Sequence, residues 1–136
     1  MPHLVLLYTP DLEHDADIPG LCRALADRML EQRDAAGKAV FPTGGTRVLA
    51  YPAAHCAVAD GQGDYGFLYA NLRMGSGRSP AVHKAVGDSL LQVLTQCLDP
   101  LLQRRPVGIT LQIDESTQQV YDAKHSTLHP LFNRPV

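Results

Sequence analysis

Two stretches of this chain repeat one plan, and that repetition restricts the fold more than any other feature. Residues 2–51 and 65–114 each read as strand, helix, strand, without obvious sequence identity between them. In the first, His3 to Tyr8 is an almost unbroken run of Leu and Val, the pattern of a strand buried on both faces. Asp17 then caps a helix whose apolar positions Ile18, Leu21, Cys22, Leu25 and Met29 form one stripe, with Pro19 in the first turn where its missing N–H costs nothing. The stripe fades through Gln32 to Lys38 near a turn-forming Gly37. Phe41-Pro42-Thr43-Gly44-Gly45-Thr46-Arg47 reads as a tight loop entering a strand from Arg47 to Tyr51.

The second stretch opens with alternation from Tyr65 to Met74, placing Leu68, Ala70, Leu72 and Met74 on one face and Phe67, Tyr69, Asn71 and Arg73 on the other. Ser79 and Pro80 cap a long helix carrying Val82, Val86, Leu90, Val93, Leu94, Cys97 and Leu98, which Pro100 is expected to kink or end. Val107, Ile109, Leu111 and Ile113 form the last strand. Between the halves, Pro52 to Gly63 is dense in turn formers. The tail is polar until Leu128-His129-Pro130-Leu131-Phe132, an apolar patch that must dock somewhere.

A strand-helix-strand crossover makes its two strands parallel and right-handed. Two such units predict an α/β fold (α+β in some schemes), a four-stranded sheet with both helices on one face, in a single domain over 1–136 with pseudo-repeat halves at about 2–51 and 65–114. The other sheet face carries Val, Leu and Phe, and no further helix remains to cover it. A homo-oligomer packed sheet to sheet is the expected outcome.

Charge excludes several functions. Lys and Arg number 12 against 14 Asp and Glu, for a net of -2, and no basic run appears, so neither nucleic acid nor a membrane surface is an expected partner. Cys22, Cys56 and Cys97 are odd in number and lack a Cys-x-x-Cys pair, which reads as free thiols in a reducing cytoplasm. No segment has the pattern of a signal peptide or the length of a transmembrane helix.

Chemistry-bearing residues are few. Once Met1 is removed, as a small second residue permits, Pro2 becomes a secondary amine at the start of a strand. A free α-amino group titrates near ~7.7–8.0, and burial lowers it. A fixed, neutral amine suits proton abstraction next to a carbonyl, because a base works best with its pKa near the working pH. A proline that merely begins an edge strand carries the same residues. Gly75-Ser76-Gly77-Arg78-Ser79-Pro80 joins a strand end to a helix start, where free N–H groups, the helix dipole and the Arg78 fork attract carboxylates. A Gly-rich turn with a solvated arginine fits that stretch as well. Arg47, at a strand mouth after Gly44-Gly45, either grips a substrate or pairs with a neighbouring carboxylate. His125 and His129 lack a third ligand nearby, so no metal is expected, and no elbow or Cys/Ser–base arrangement supports nucleophilic catalysis.

Pro2 on a strand, Asp17-Ile18-Pro19-Gly20-Leu21, Phe41-Pro42 with Gly45 and Arg47, Ala59-Asp60-Gly61-Gln62 with Asp64-Tyr65, and Gly75-Ser76-Gly77-Arg78-Ser79 together resemble the 5-carboxymethyl-2-hydroxymuconate Δ-isomerase family of the tautomerase superfamily. The resemblance runs over nearly the whole chain, with a longer Gln32 to Ala39 region. It implies a homotrimer of β-α-β-α-β units without a cofactor, acting on an unsaturated 2-hydroxy or 2-oxo polycarboxylate in the catabolism of aromatic acids such as homoprotocatechuate. It puts the catalytic base on Pro2 and the substrate-binding arginines on Arg47 and Arg78. The family's Phe-Pro-Leu-Ala-Gly-Ile-Arg loop reads Phe41-Pro42-Thr43-Gly44-Gly45-Thr46-Arg47 here, and its Lys-x-Asn-Asn before His reads Lys124-His125-Ser126-Thr127 before Leu128-His129, which leaves the substrate open. A hydratase or dehalogenase of unsaturated acids using the same proline, or a non-catalytic trimer that binds organic anions, are the alternatives.

Overall fold

A computed structural model describes residues 2–132. Strand β1 (His3–Tyr8) is followed by a single helical turn α1 (Leu12–Asp15), helix α2 (Ile18–Glu31) and strand β2 (Arg47–Pro52). The second half comprises β3 (Gly66–Gly75), α3 (Pro80–Leu102) and β4 (Val107–Ser116). The strands lie in the order β2-β1-β3-β4, with β1 parallel to β2, β3 parallel to β4, and the two units joined antiparallel through β1 and β3. This is the expected pair of β-α-β units.

Local signals explain the helix starts. The Asp17 side chain accepts from Gly20 N–H at 3.0 Å, and the Ser79 hydroxyl accepts from Val82 N–H at 3.2 Å, each followed by a proline in the first turn. Helix α2 stops at Glu31, and Asp34 then accepts from Ala36 and Lys38 N–H inside a tight turn closed by the Arg33–Ala39 bridge. Pro100 does not end α3, which runs on to Leu102. It stands in the last turn on an exposed flank, where water replaces the hydrogen bond that proline cannot make.

Both long helices cover one face of the sheet. Leu4, Leu6 and Tyr8 of β1 and Leu68, Ala70, Leu72 and Met74 of β3 are buried against Leu21, Leu25 and Met29 of α2 and Val86, Leu90 and Leu94 of α3. Each buried Leu, Val or Met among them contributes about 1.5–3 kcal/mol of burial free energy. β1 is therefore buried on one face only, contrary to the reading of its apolar run. Its other face, with Leu7 46% exposed and neighbours Leu49 and Tyr51 at 46% and 49%, is open in the single chain because no helix crosses it.

The apolar tail docks at a position that sequence patterning left undefined. Its helical turn (His129–Leu131) packs on the turn Thr43–Gly45, and a Cβ at Gly44 would lie 2.9 Å from the His129 Cα, so only glycine admits the tail there. Leu128 and Phe132 close a cleft of about 510 Å³ against α2 and Val48.

Candidate active site at one end of the sheet

The sequence-derived candidates gather at the end of the sheet where β1 begins. Pro2 is buried and precedes His3, which pairs with Arg47 on one side and Arg73 on the other. Continuing both registers by one step sets Pro2 level with Thr46 and Met74. Strand alternation then turns its ring toward the core with Leu4, leaving its nitrogen at the sheet's terminal edge.

Arg47 opens β2 on the uncovered face, half-buried, and among the described residues it has neither a hydrogen bond nor an ion pair. It lines a cleft of about 310 Å³ with His3, Asp122, Lys124 and His125. A guanidinium held partly out of water without a counter-ion is a ready carboxylate site.

Arg78 is placed differently. Its Nη1 donates to Gly75 O at 3.1 Å and its Nη2 to Val40 O at 2.8 Å, tying the loop after α2 to the turn after β3. That turn uses Gly77 at φ +108, a conformation that glycine adopts without strain. Two of the five donors of Arg78 are thus engaged on backbone, and the residue borders a cleft of about 240 Å³ with Lys38, Ser76 and Gly77. Arg78 holds the site's frame together as well as offering charge.

Three neighbours carry signals that sequence reading missed. His3 is held below its ordinary pKa by partial burial first and then by the charges of Arg47, the amino terminus and Arg73, while Asp122 pulls it upward. His3 and Arg73 were visible as polar members of alternating strands, but their adjacency appears only once the register is known. On the core side of the same end, His83 Nε2 meets Glu115 Oε1, and Glu115 is level with Met74. No group of three or more metal-ligating side chains occurs among the described residues, and no helix there is long and apolar enough to cross a membrane. The cleft of about 510 Å³ under the tail contains none of Pro2, Arg47 or Arg78 and has few polar groups besides Arg23, whose charge is paired with Asp27. Volume alone does not make it the reactive site.

Comparison with known proteins identifies the family of the chain and its fold. The family model described as 5-carboxymethyl-2-hydroxymuconate isomerase matches residues 2–132. The 5-carboxymethyl-2-hydroxymuconate Delta-isomerase of Escherichia coli is 26% identical over 132 residues, covering 97% of this chain and 99% of that protein. A crystal structure of a 5-carboxymethyl-2-hydroxymuconate delta-isomerase superposes with a TM-score of 0.95 at 54% identity, covering 100% of this chain and 95% of the other. The fold alone is shared with a fused 4-OT symmetric trimer, at 19% identity and a TM-score of 0.51 over 95% of this chain and 97% of that one.

Proposed function

Because the chain belongs to the 5-carboxymethyl-2-hydroxymuconate isomerase family, we propose that it isomerises that substrate with Pro2 as the base and Arg47 and Arg78 as carboxylate ligands. The chain is a tautomerase-type isomerase of aromatic-acid catabolism. The observation that carries the residue assignment is the position of Pro2. It is buried at the edge of the sheet, one residue before His3 and beside a strand whose first residue is the unpaired Arg47.

In this mechanism the neutral Pro2 nitrogen takes the proton of the 2-hydroxy group. The electron pair of that O–H bond becomes the carbonyl, the diene shifts along the chain, and the distant carbon recovers the proton from the Pro2 cation. Atoms and charge balance without an oxidant or cofactor. Arg47 and Arg78 hold the carboxylates and stabilise the negative charge that spreads over the dienolate. With Met1 attached, the Pro2 nitrogen is an amide and has no basic lone pair.

The test is a variant carrying one permanent extra residue before Pro2. It should fold as the parent does and lose turnover by at least about 10²–10⁴, the contribution of a general base. Full dienol ketonisation with the amine blocked, followed by ultraviolet absorbance, would remove Pro2 from the mechanism.

The uncovered sheet face supports a homotrimer. Val5, Leu7, Leu49, Tyr51 and Tyr69 are cross-strand neighbours there, an apolar surface that a single chain leaves in water. Light scattering should give three times the chain mass, and a stable dilute monomer would refute the assembly. Three free cysteines suit a reducing cytoplasm.

A further inference from the structure

We propose that Arg73 is a third substrate-binding arginine, which grips the carboxylate of the carboxymethyl arm and makes the site selective for a tricarboxylate. This rests on the isomerase reading above and adds a substrate contact to it. A muconate bears two carboxylates and the carboxymethyl arm a third, so Arg47 and Arg78 leave one anionic group without a cation.

The sheet register supplies that cation. Arg47 and Arg73 stand directly opposite His3 on its two sides, which sets the two arginines roughly 9–10 Å apart across two strand spacings. The chain places both cations in one row across the sheet, and among the described residues neither forms an ion pair. Arg73 makes one long contact, Nη2 to the Ser116 hydroxyl at 3.4 Å. The carboxylate that faces it in register, Asp114, instead accepts from Asn71 Nδ2 at 2.7 Å. The exposed guanidinium is thus left free by the very residue placed to neutralise it.

The cavities agree. Arg73 and Gly75 border one small cleft with His3 and Asp122, and Arg47 borders the next with the same His3 and Asp122. Arg78 reaches the same corner, its Nη1 lying 3.6 Å from where a Gly75 side chain would begin. Three arginines therefore stand at the end of the sheet where β1 begins, Arg47 and Arg73 in clefts that share His3 and Arg78 beside Gly75. One trianionic substrate satisfies all three, whereas a dianion leaves one unpaired.

Two substrates separate this role from a general electrostatic one: 5-carboxymethyl-2-hydroxymuconate, and 2-hydroxymuconate, which is the same diene without the arm. Arg73→Gln should raise KM for the tricarboxylate roughly ten- to a hundredfold, the loss of one charge-assisted pair, with kcat nearly kept. KM for 2-hydroxymuconate should stay within about twofold, and Arg73→Lys should restore part of the loss as a point charge without the fork. An equal change on both substrates, or on neither, overturns the proposal. If the parent protein turns over neither compound, the isomerase reading fails by itself. Calorimetry with propane-1,2,3-tricarboxylate and glutarate then decides the role of Arg73: weakening confined to the tricarboxylate supports it, and parallel weakening or none refutes it.

Discussion

The two ends of the sheet treat arginine in opposite ways. At the end where β1 finishes, Arg105 is only 13% exposed and meets three carboxylates: Asp11, Asp15 at 3.1 Å and Asp64 at 3.3 Å. Those acids belong to the α1 turn and to the loop before β3, so one guanidinium fastens three connections. At the end where β1 begins, Arg47 and Arg73 flank a histidine, and among the described residues neither forms an ion pair, although Asp122 borders the clefts of both. The ends are separated by roughly 17 Å of strand, beyond the ~10 Å screening length of ordinary salt. Internal neutralisation marks a structural cation, and a cation left without it is available to an anion from outside.

The sharpest way to break this contrast is to remove one arginine from each end. Arg47→Gln should lower kcat/KM by about 10²–10³, or ~2.7–4 kcal/mol of transition-state stabilisation, by analogy with loss of one donor from a dry site. Its denaturation midpoint should hold or rise, since a like-charge neighbour of Arg73 is removed. A midpoint that falls with kcat/KM unchanged would make Arg47 structural.

Arg105→Ala should do the reverse, costing roughly 2–3 kcal/mol of stability with kcat/KM per folded protein preserved. That is below the 3–5 kcal/mol of a fully buried pair because Asp15 and Asp64 keep contact with water. Acid sharpens the result. Burial alone would raise the Asp11 carboxyl, but hydrogen bonds from Thr9 and Arg105 and the Arg105 charge hold it below its ordinary value. Its stabilising contribution is therefore full above about pH 4 and lost as pH falls through the lowered value. Unfolding curves of parent and variant should converge on the acid side, and a gap that stays constant with pH would mean that Arg105 acts through packing.

Much of this architecture was legible in the chain. The stripe from Ile18 to Met29, the Ser79-Pro80 start and the alternation in β3 and β4 are local patterns, and local rules read them. Two features escaped because they depend on tertiary partners. Pro100 passes inside α3 because its flank is exposed. The tail finds its seat on Gly44, for which no sequence period exists. At the candidate site, Pro2, Arg47 and Arg78 are proposed from motif chemistry and the family resemblance, whereas the adjacency of His3 and Arg73 needs the antiparallel pairing of β1 and β3. That pairing joins two units far apart in sequence, with no hairpin turn to announce it.

The smallest effect expected is on the His3 imidazole, and it reports the unpaired end from within. Partial burial, then Arg47, the amino terminus and Arg73 lower its pKa, and Asp122 opposes them. Because the folded form favours neutral His3, the associated stability is complete above the ordinary value near ~6.5 and is lost as pH falls through the lowered one. Arg73→Gln removes a repelling charge, so the His3 resonance in an NMR titration should move at a higher pH than in the parent. Asp122→Asn should shift it the other way, and Arg105→Ala should leave it in place. A bound tricarboxylate brings negative charge beside His3 and should raise its pKa in the parent more than in Arg73→Gln. A His3 titration indifferent to Arg73 would mean that the two side chains diverge in solution, and the row of cations across β2, β1 and β3 would no longer distinguish this end of the sheet from the other.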